Sequence, residues 1–338
     1  MNKRIEWIDT AKAVAIILVG IGHYSCPKLL MAFIYSFHMP LFFILSGITF
    51  NTSKYTFQQF LIRKLKTLVF PWWIAVVLYA VFQNTCLTLG MSGVHIPWIN
   101  IIPRIFWHYR VGAYDPVYWF IPCLFVTELL LYWILKLCKN RTHIFVLMLV
   151  WLGAATAYYY GVGKVLVWEI DLIPLTAFYI CIGILVKEWI INFIENSANL
   201  KLILIGISSM AIAFILSCWN LNITGNIFGI SDIRYGNMGL AVVASFAGSL
   251  GVIVLCKYIS CGLFKYIGRN SLMFYLSQPF TYKIADVMLC ICLPFYRYAG
   301  NVLDLVLLHI LSNILILLYV FCYKKVKEKT LHKITKRV

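Results

Sequence analysis

Charge is scarce in this chain. Of its 338 residues only 12% are Asp, Glu, Lys or Arg, against about 25% in an ordinary soluble domain, and acidic residues are rarer still, 12 against 29 Lys and Arg. Water cannot be the main solvent of such a chain, yet 62% hydrophobic residues exclude a disordered one. Recognisable reaction motifs are also missing: there is no Walker A loop, Gly-rich dinucleotide loop, HExxH or GxSxG elbow. The eleven cysteines are scattered, and the nearest pairs, Cys256 with Cys261 and Cys290 with Cys292, match neither metal nor redox spacing. They read as packing residues, so no metal is expected. No repeat, low-complexity tract or soluble appendage is visible. Without a soluble basic face, the formal charge of +17 does not point to nucleic acid.

Long apolar runs are what the chain has instead, with a mean hydropathy of +0.86. A bilayer core about 30 Å thick takes about 20 helical residues to cross. Stretches of that order lie near 8–25, 32–51, 67–89, 117–137, 143–160, 171–186, 201–219, 237–256, 270–292 and 302–322. Helices are the default, because every backbone polar group in lipid must be bonded within its own segment. The expected fold is an all-α integral membrane bundle of about ten transmembrane helices, a single membrane-embedded domain over 1–338. Glu6, Asp9 and Lys12 interrupt the approach to the first apolar run, and no small-x-small cleavage pattern follows Gly22, which argues against a removable signal peptide.

The cations show the orientation. If the amino terminus is cytoplasmic, the loops on that side and the basic tail 323–338 hold 21 Lys and Arg residues. The opposite loops hold six, Lys28, Arg104, Arg110, Lys164, Arg234 and Arg297, while Lys12 and Lys283 fall within spans. That is the positive-inside bias, and it places both termini in the cytoplasm. The longest external segment then runs from Gly90 to Pro116, with His95, Arg104, His108, Arg110 and Asp115.

Ionisable groups inside a bilayer are costly and tend to face a protein-lined cavity. Span one is richest in them. Lys12 and His23 are eleven residues apart, three turns plus about 20°, so they share a face, and Asp9 lies one turn before Lys12 on it. An ion pair of Asp9 with Lys12 would lower the desolvation cost of each. Gly20 and Gly22 leave room beside His23 for a substrate or a neighbouring helix. The plainer alternative is that Asp9 and Lys12 are interfacial anchors and His23 an external cap. In span two, Pro40 removes a backbone bond near His38, and Ser46-Gly47 lies two turns deeper. This suits either a site or a packing kink. Arg63, Lys64 and Lys66 form a cytoplasmic basic cluster in the loop before span three, ordinary for its side or an anion site for donor phosphates. Glu128, in span four, is a buried hydrogen-bonding carboxyl or a proton carrier. Tyr118 and Trp119 read as interfacial belt aromatics. Asn270 or Ser271 can cap span nine, with Arg269 as its cytoplasmic anchor, and Gln278, Lys283 and Asp286 break that span's apolarity.

Taken together these segments resemble the acyltransferase 3 family of polytopic membrane acyltransferases, in particular its branch similar to fucose 4-O-acetylases. Arg4-Ile5-Glu6-Trp7-Ile8-Asp9-Thr10-Ala11-Lys12 followed by Gly22-His23 resembles the family's first-helix pattern, in which a basic residue precedes the histidine by eleven positions. Ser36-Phe37-His38-Met39-Pro40-Leu41-Phe42-Phe43 with Ser46-Gly47 is similar to its second-helix pattern. Gly268-Arg269-Asn270-Ser271-Leu272 with Tyr275 resembles a weaker late pattern, and Tyr118-Trp119-Phe120 adds a little. The strong part is confined to the first helix pair, 8–51. The family's paired arginines after span two stand here as Arg63 with Lys66, and Ser277-Gln278-Pro279 replaces a late histidine. The resemblance implies ten helices in the bacterial cytoplasmic membrane, a cytoplasmic acyl-CoA donor, usually acetyl-CoA, and an acceptor hydroxyl on an envelope glycan or lipid-linked sugar.

Such a transfer needs a base for the hydroxyl proton, stabilisation of an oxyanion and a site for the CoA phosphates. His23 is the expected base, an imidazole being able to exchange protons near neutrality, with His38 or another helix holding its tautomer. Lys12 lies about 16 Å along the axis from His23, so it binds or orients rather than transferring the proton. Arg63 with Lys66 would bind donor phosphate. A transporter or flippase of envelope sugar precursors, with intramembrane charges lining its path, is the rival expectation, and a noncatalytic assembly subunit is a third.

Overall fold

The computed structural model describes residues 5–24, 26–93, 95–97, 99, 118–298 and 301–335, with side chains described as far as Lys329. Lys3, Arg4 and most of residues 90–116, including Arg104, His108, Arg110 and Asp115, lie outside the described residues. Within them the regular structure is helical, apart from one isolated bridge between Gly229 and Arg234. Each expected span coincides with a helix: α1 (Glu6–His23), α2 (Lys28–Thr49), α4 (Phe70–Thr88), α5 (Phe120–Leu137), α6 (Arg141–Gly161), α7 (Ile173–Asn196), α8 (Asn199–Thr224), α9 (Met238–Leu255), α11 (Ser271–Cys292) and α12 (Val302–Thr335). Two short helices, α3 (Phe57–Lys64) and α10 (Gly262–Arg269), precede α4 and α11.

Eight stretches among the described residues are long and apolar enough to cross a membrane. The long helices outside that set are α1, with Glu6, Asp9 and Lys12, and α11, with Lys283 and Asp286. The chain is therefore an all-α, multi-pass membrane protein. On α6 and α8, Phe145, Leu149, Leu204, Ile207 and Ile215 are exposed, as a lipid-facing surface requires.

The expected loop before span three is largely helical. Thr56 and Gln59 form a capping box that starts α3, and the helix then continues through a π-helical turn, Leu65–Val69, into α4. Pro71 explains the widened turn. It lacks an N–H and its ring crowds the preceding carbonyls, while Phe70 N–H reaches back five residues to Leu65 O.

The chain divides into two compact units, Met1–Pro27 with Ser260–Val338, and Lys28–Ile259. In the larger unit α2 packs against α7, α8 and α9, and α7 against α5 and α6. The α2–α7 crossing is made by Gly47 and Gly183. A Cβ at Gly47 would fall on Ile180 O, and one at Gly183 on Ile44 O. Small residues let membrane helices approach to backbone contact. Gly183→Ala is therefore expected to destabilise this unit by about 1–3 kcal/mol through overpacking, read as a lowered thermal midpoint of the protein in nanodiscs. Ala at Gly153, where a Cβ meets open space, should leave the midpoint unchanged.

In the smaller unit α1 packs on α10, α11 and α12. Gly268 lies against the backbone of Asp9, with no space for a Cβ.

Candidate active site

The residues of the opening motif are held by the far end of the chain. Asp9 is 3% exposed, and its Oδ2 accepts from Arg269 Nε at 3.2 Å. Glu6 pairs with Lys265 Nζ at 2.7 Å. The hydroxyl of Thr10 donates to Ser260 Oγ at 3.1 Å. Three residues of α10 and the one after it build this contact: Gly268 permits the approach, Lys265 and Arg269 supply the cations, and Asn270 ends the helix by donating Nδ2–H to Tyr266 O at 2.7 Å. Asn270 thus closes α10 rather than capping α11, where it makes no side-chain cap bond. Ser271 is the first residue of α11. Arg269, expected as a membrane anchor, is an ion-pair partner of Asp9. Lys12 is half-buried one turn further along α1.

His23 ends α1, half-buried. The room beside it that Gly20 creates is filled by a neighbouring helix, since a Cβ there would meet the hydroxyl of Tyr282 on α11. That hydroxyl is hydrogen-bonded to His309 Nδ1 on α12 at 2.7 Å, and Tyr24 stacks on the Tyr282 ring at 3.9 Å. One turn away, Gln278 donates Nε2–H to Ile16 O at 2.8 Å, and its Oε1 is buried with no hydrogen-bond partner among the described residues. Tyr282 and His309 were missed in the sequence. A histidine inside the apolar run 302–322 was the available signal.

His23 and His38 belong to different units, and each is placed within its own. His38 is 2% exposed in the middle of α2, a helix that runs through Pro40 unbroken. Its Nδ1 lies 2.8 Å from Ile34 O. A carbonyl oxygen only accepts, so Nδ1 carries the hydrogen, and in the neutral ring Nε2 bears the lone pair. The ring also packs edge-on against Tyr35, with centroids 5.0 Å apart.

Deeper in the same helix, Ser46 Oγ donates to Glu128 Oε1 at 2.6 Å, and Lys64 Nζ lies 2.5 Å from Glu128 Oε2. Glu128 is 2% exposed. Of the two roles left open for it, the hydrogen-bonding carboxyl matches this setting. The expected basic cluster consequently divides. Lys64 turns to Glu128, whereas Arg63 and Lys66, three residues apart on one helix face, line an open groove of about 590 Å³ with Lys54, Tyr55 and Gln59. Arg63 Nη1 donates to Tyr55 Oη at 2.5 Å, and its guanidinium lies over the Tyr55 ring at 5.1 Å. Tyr132 on α5 fixes the base of the groove by donating to Tyr55 O at 2.8 Å and stacking on Phe60. Tyr118 and Trp119, expected in an interfacial belt, are buried at 1% and 4% exposure. Tyr118 packs edge-on against Tyr79, because the start of α5 is wedged into protein rather than turned to headgroups.

A multi-pass helical protein with buried imidazole, buried ion pairs and an open basic groove has the parts of a membrane group-transfer enzyme. The chain belongs to the acyltransferase 3 family: the family's model, described as an acyltransferase domain, matches residues 5–323. No curated protein and no solved structure matches it. The family covers nearly the whole chain, including both units, and makes the protein a membrane acyltransferase.

Proposed function

We propose that this acyltransferase moves an acetyl group from cytoplasmic acetyl-CoA to a hydroxyl of an envelope glycan or lipid-linked sugar at the bacterial cytoplasmic membrane, as an O-acetyltransferase of the branch similar to fucose 4-O-acetylases. The observation that carries this reading is the groove of Lys54, Tyr55, Arg63 and Lys66. Its volume falls within the roughly 300 to 1,000 Å³ of ligand sites, and its two ammonium groups and one guanidinium suit the phosphates of a CoA. The positive-inside bias puts this groove, and both termini, in the cytoplasm.

In the transfer, a base takes the proton of the acceptor hydroxyl while the oxygen attacks the thioester carbonyl. The C–S bond then breaks, and the CoA thiolate accepts a proton. His23, an imidazole able to exchange protons near neutrality, is the base expected from the sequence. Geometry favours His38, whose Nδ1–H is tied to Ile34 O and whose Nε2 is the basic atom, leaving His23 as the second imidazole. Lys12 and Asp9 orient the inner part of α1.

The test is acetyl transfer in membranes holding wild-type, His23→Ala or His38→Ala protein at equal abundance, together with acetyl-CoA consumption by the purified protein. Undiminished turnover in a variant removes that histidine from the reaction. Failure of the wild type to consume acetyl-CoA overturns the acetyl-donor reading and favours transport of a sugar precursor.

A further inference from the structure

A second cavity, on the larger unit, is built by the turn between α8 and α9. The end of α8 is closed by Gly225 in the left-handed conformation, φ +69°, its N–H bonded to Leu221 O. The chain then doubles back, and Gly229 and Arg234 exchange two backbone hydrogen bonds of 2.7 and 3.1 Å. Ile233 is held at φ +51°, a conformation that costs a β-branched residue energy and persists only where its surroundings impose it. Buried Asn220 imposes it from below, donating Nδ2–H to Tyr235 O at 3.0 Å and accepting Asn237 N–H at 2.8 Å. Gly236 N–H donates to Tyr159 Oη at 3.1 Å.

This braced turn faces the first two turns of α2 across a cavity of about 260 Å³, lined among others by Lys28, Tyr35, Asn226, Asp232 and Arg234. Two of the six cations that the charge bias leaves on the external side, Lys28 and Arg234, thus meet at one place. Among the described residues neither lies within 4 Å of a carboxylate partner. Asp232, whose Oδ1 accepts from Ser231 Oγ at 3.2 Å, leaves the cavity with a net positive charge. Carboxylate, amide and phenol groups together match a polyhydroxyl ligand, and an aromatic ring suits the apolar face of a pyranose. The size admits a sugar ring rather than a CoA. Tyr35 joins the cavity to the chemistry, because the same ring packs against His38.

We infer that this cavity holds the acceptor, and that the acceptor sugar carries a negative charge, as a carboxylate or a phosphate. This rests on the transferase reading above and adds the substrate class to it. Lys28 and Arg234 bind the anion, Asn226 and Asp232 the hydroxyls, and Tyr35 the ring.

The test uses the full chain in lipid nanodiscs, with binding measured for four probes: glucuronate, glucose 1-phosphate, glucose and glycerol 3-phosphate. One of the charged sugars should bind at least tenfold more tightly than both glucose and glycerol 3-phosphate, and which one does so separates the carboxylate from the phosphate source. Arg234→Gln and Lys28→Gln, exposed positions whose integrity is checked by thermal unfolding, should bring that sugar down to the affinity of glucose, while Asp232→Asn should leave its anion preference intact or raise it. Equal binding of glucose overturns the anionic acceptor, equal binding of glycerol 3-phosphate reduces the cavity to a general anion or headgroup site, and variants that keep the preference place the sugar elsewhere. Acetyl-CoA consumption on the same preparation separates the two failures: sugar selectivity without consumption rejects the transferase role and keeps the site, and consumption without selectivity rejects the site alone.

Discussion

Replacing His38 with alanine is expected to lower acetyl transfer by about 10²- to 10⁴-fold, the usual contribution of a positioned general base. The mechanism of the loss can be separated from simple misfolding by the hydrogen bond that fixes the ring. His38 Nδ1–H donates to Ile34 O one turn back on α2, and an asparagine at 38 keeps an N–H near that position while lacking any nitrogen able to accept a proton. His38→Asn should therefore retain the thermal midpoint and still lose the activity. If His38→Asn is as active as wild type, the ring serves only to hydrogen-bond the Ile34 carbonyl within α2, and proton transfer passes to His23.

Much of the fold was legible because membrane spans are written as composition. Every expected apolar stretch is a helix, yet helix ends were misplaced where polar residues continue a helix beyond its apolar part. Phe57–Lys64 is helical although it reads as a basic loop, and α7 runs on to Asn196. Hydropathy marks where lipid ends, which is not where backbone hydrogen bonding ends. Within the site, residue types were easier to read than partners. Asp9 stood out as a buried acid, but a cation that pairs with it, Arg269, lies 260 residues away, beyond what helical spacing can find. Gly47 was noticed beside Ser46, while its use, contact with Gly183, needs the position of another helix. Tyr282 and His309 went unread because they lie on different spans, and only their meeting at 2.7 Å makes them a pair.

The division of the basic cluster predicts that Lys64 and Lys66, two residues apart, fail in opposite ways. Lys64→Met should destabilise the larger unit by about 3 kcal/mol, the lower end for breaking a buried pair, because it leaves Glu128 as a buried carboxylate with Ser46 its remaining hydrogen-bond donor. Glu128→Gln should cost less. The Lys64 side chain keeps 22% of its surface in contact with the outside, so its ammonium can turn towards solvent, whereas a carboxylate that is 3% exposed cannot. The double variant Lys64→Met with Glu128→Leu should recover most of the lost stability, since removing both charges also removes their desolvation cost. Lys66 is exposed on the groove, and Lys66→Met should leave the thermal midpoint unchanged while raising KM for acetyl-CoA by about tenfold, equivalent to about 1.4 kcal/mol of donor binding. Thermal unfolding in nanodiscs and donor-saturation kinetics on the same four proteins measure both effects. A Lys64→Met protein of wild-type stability with a raised KM would place Lys64 back among the donor-binding cations.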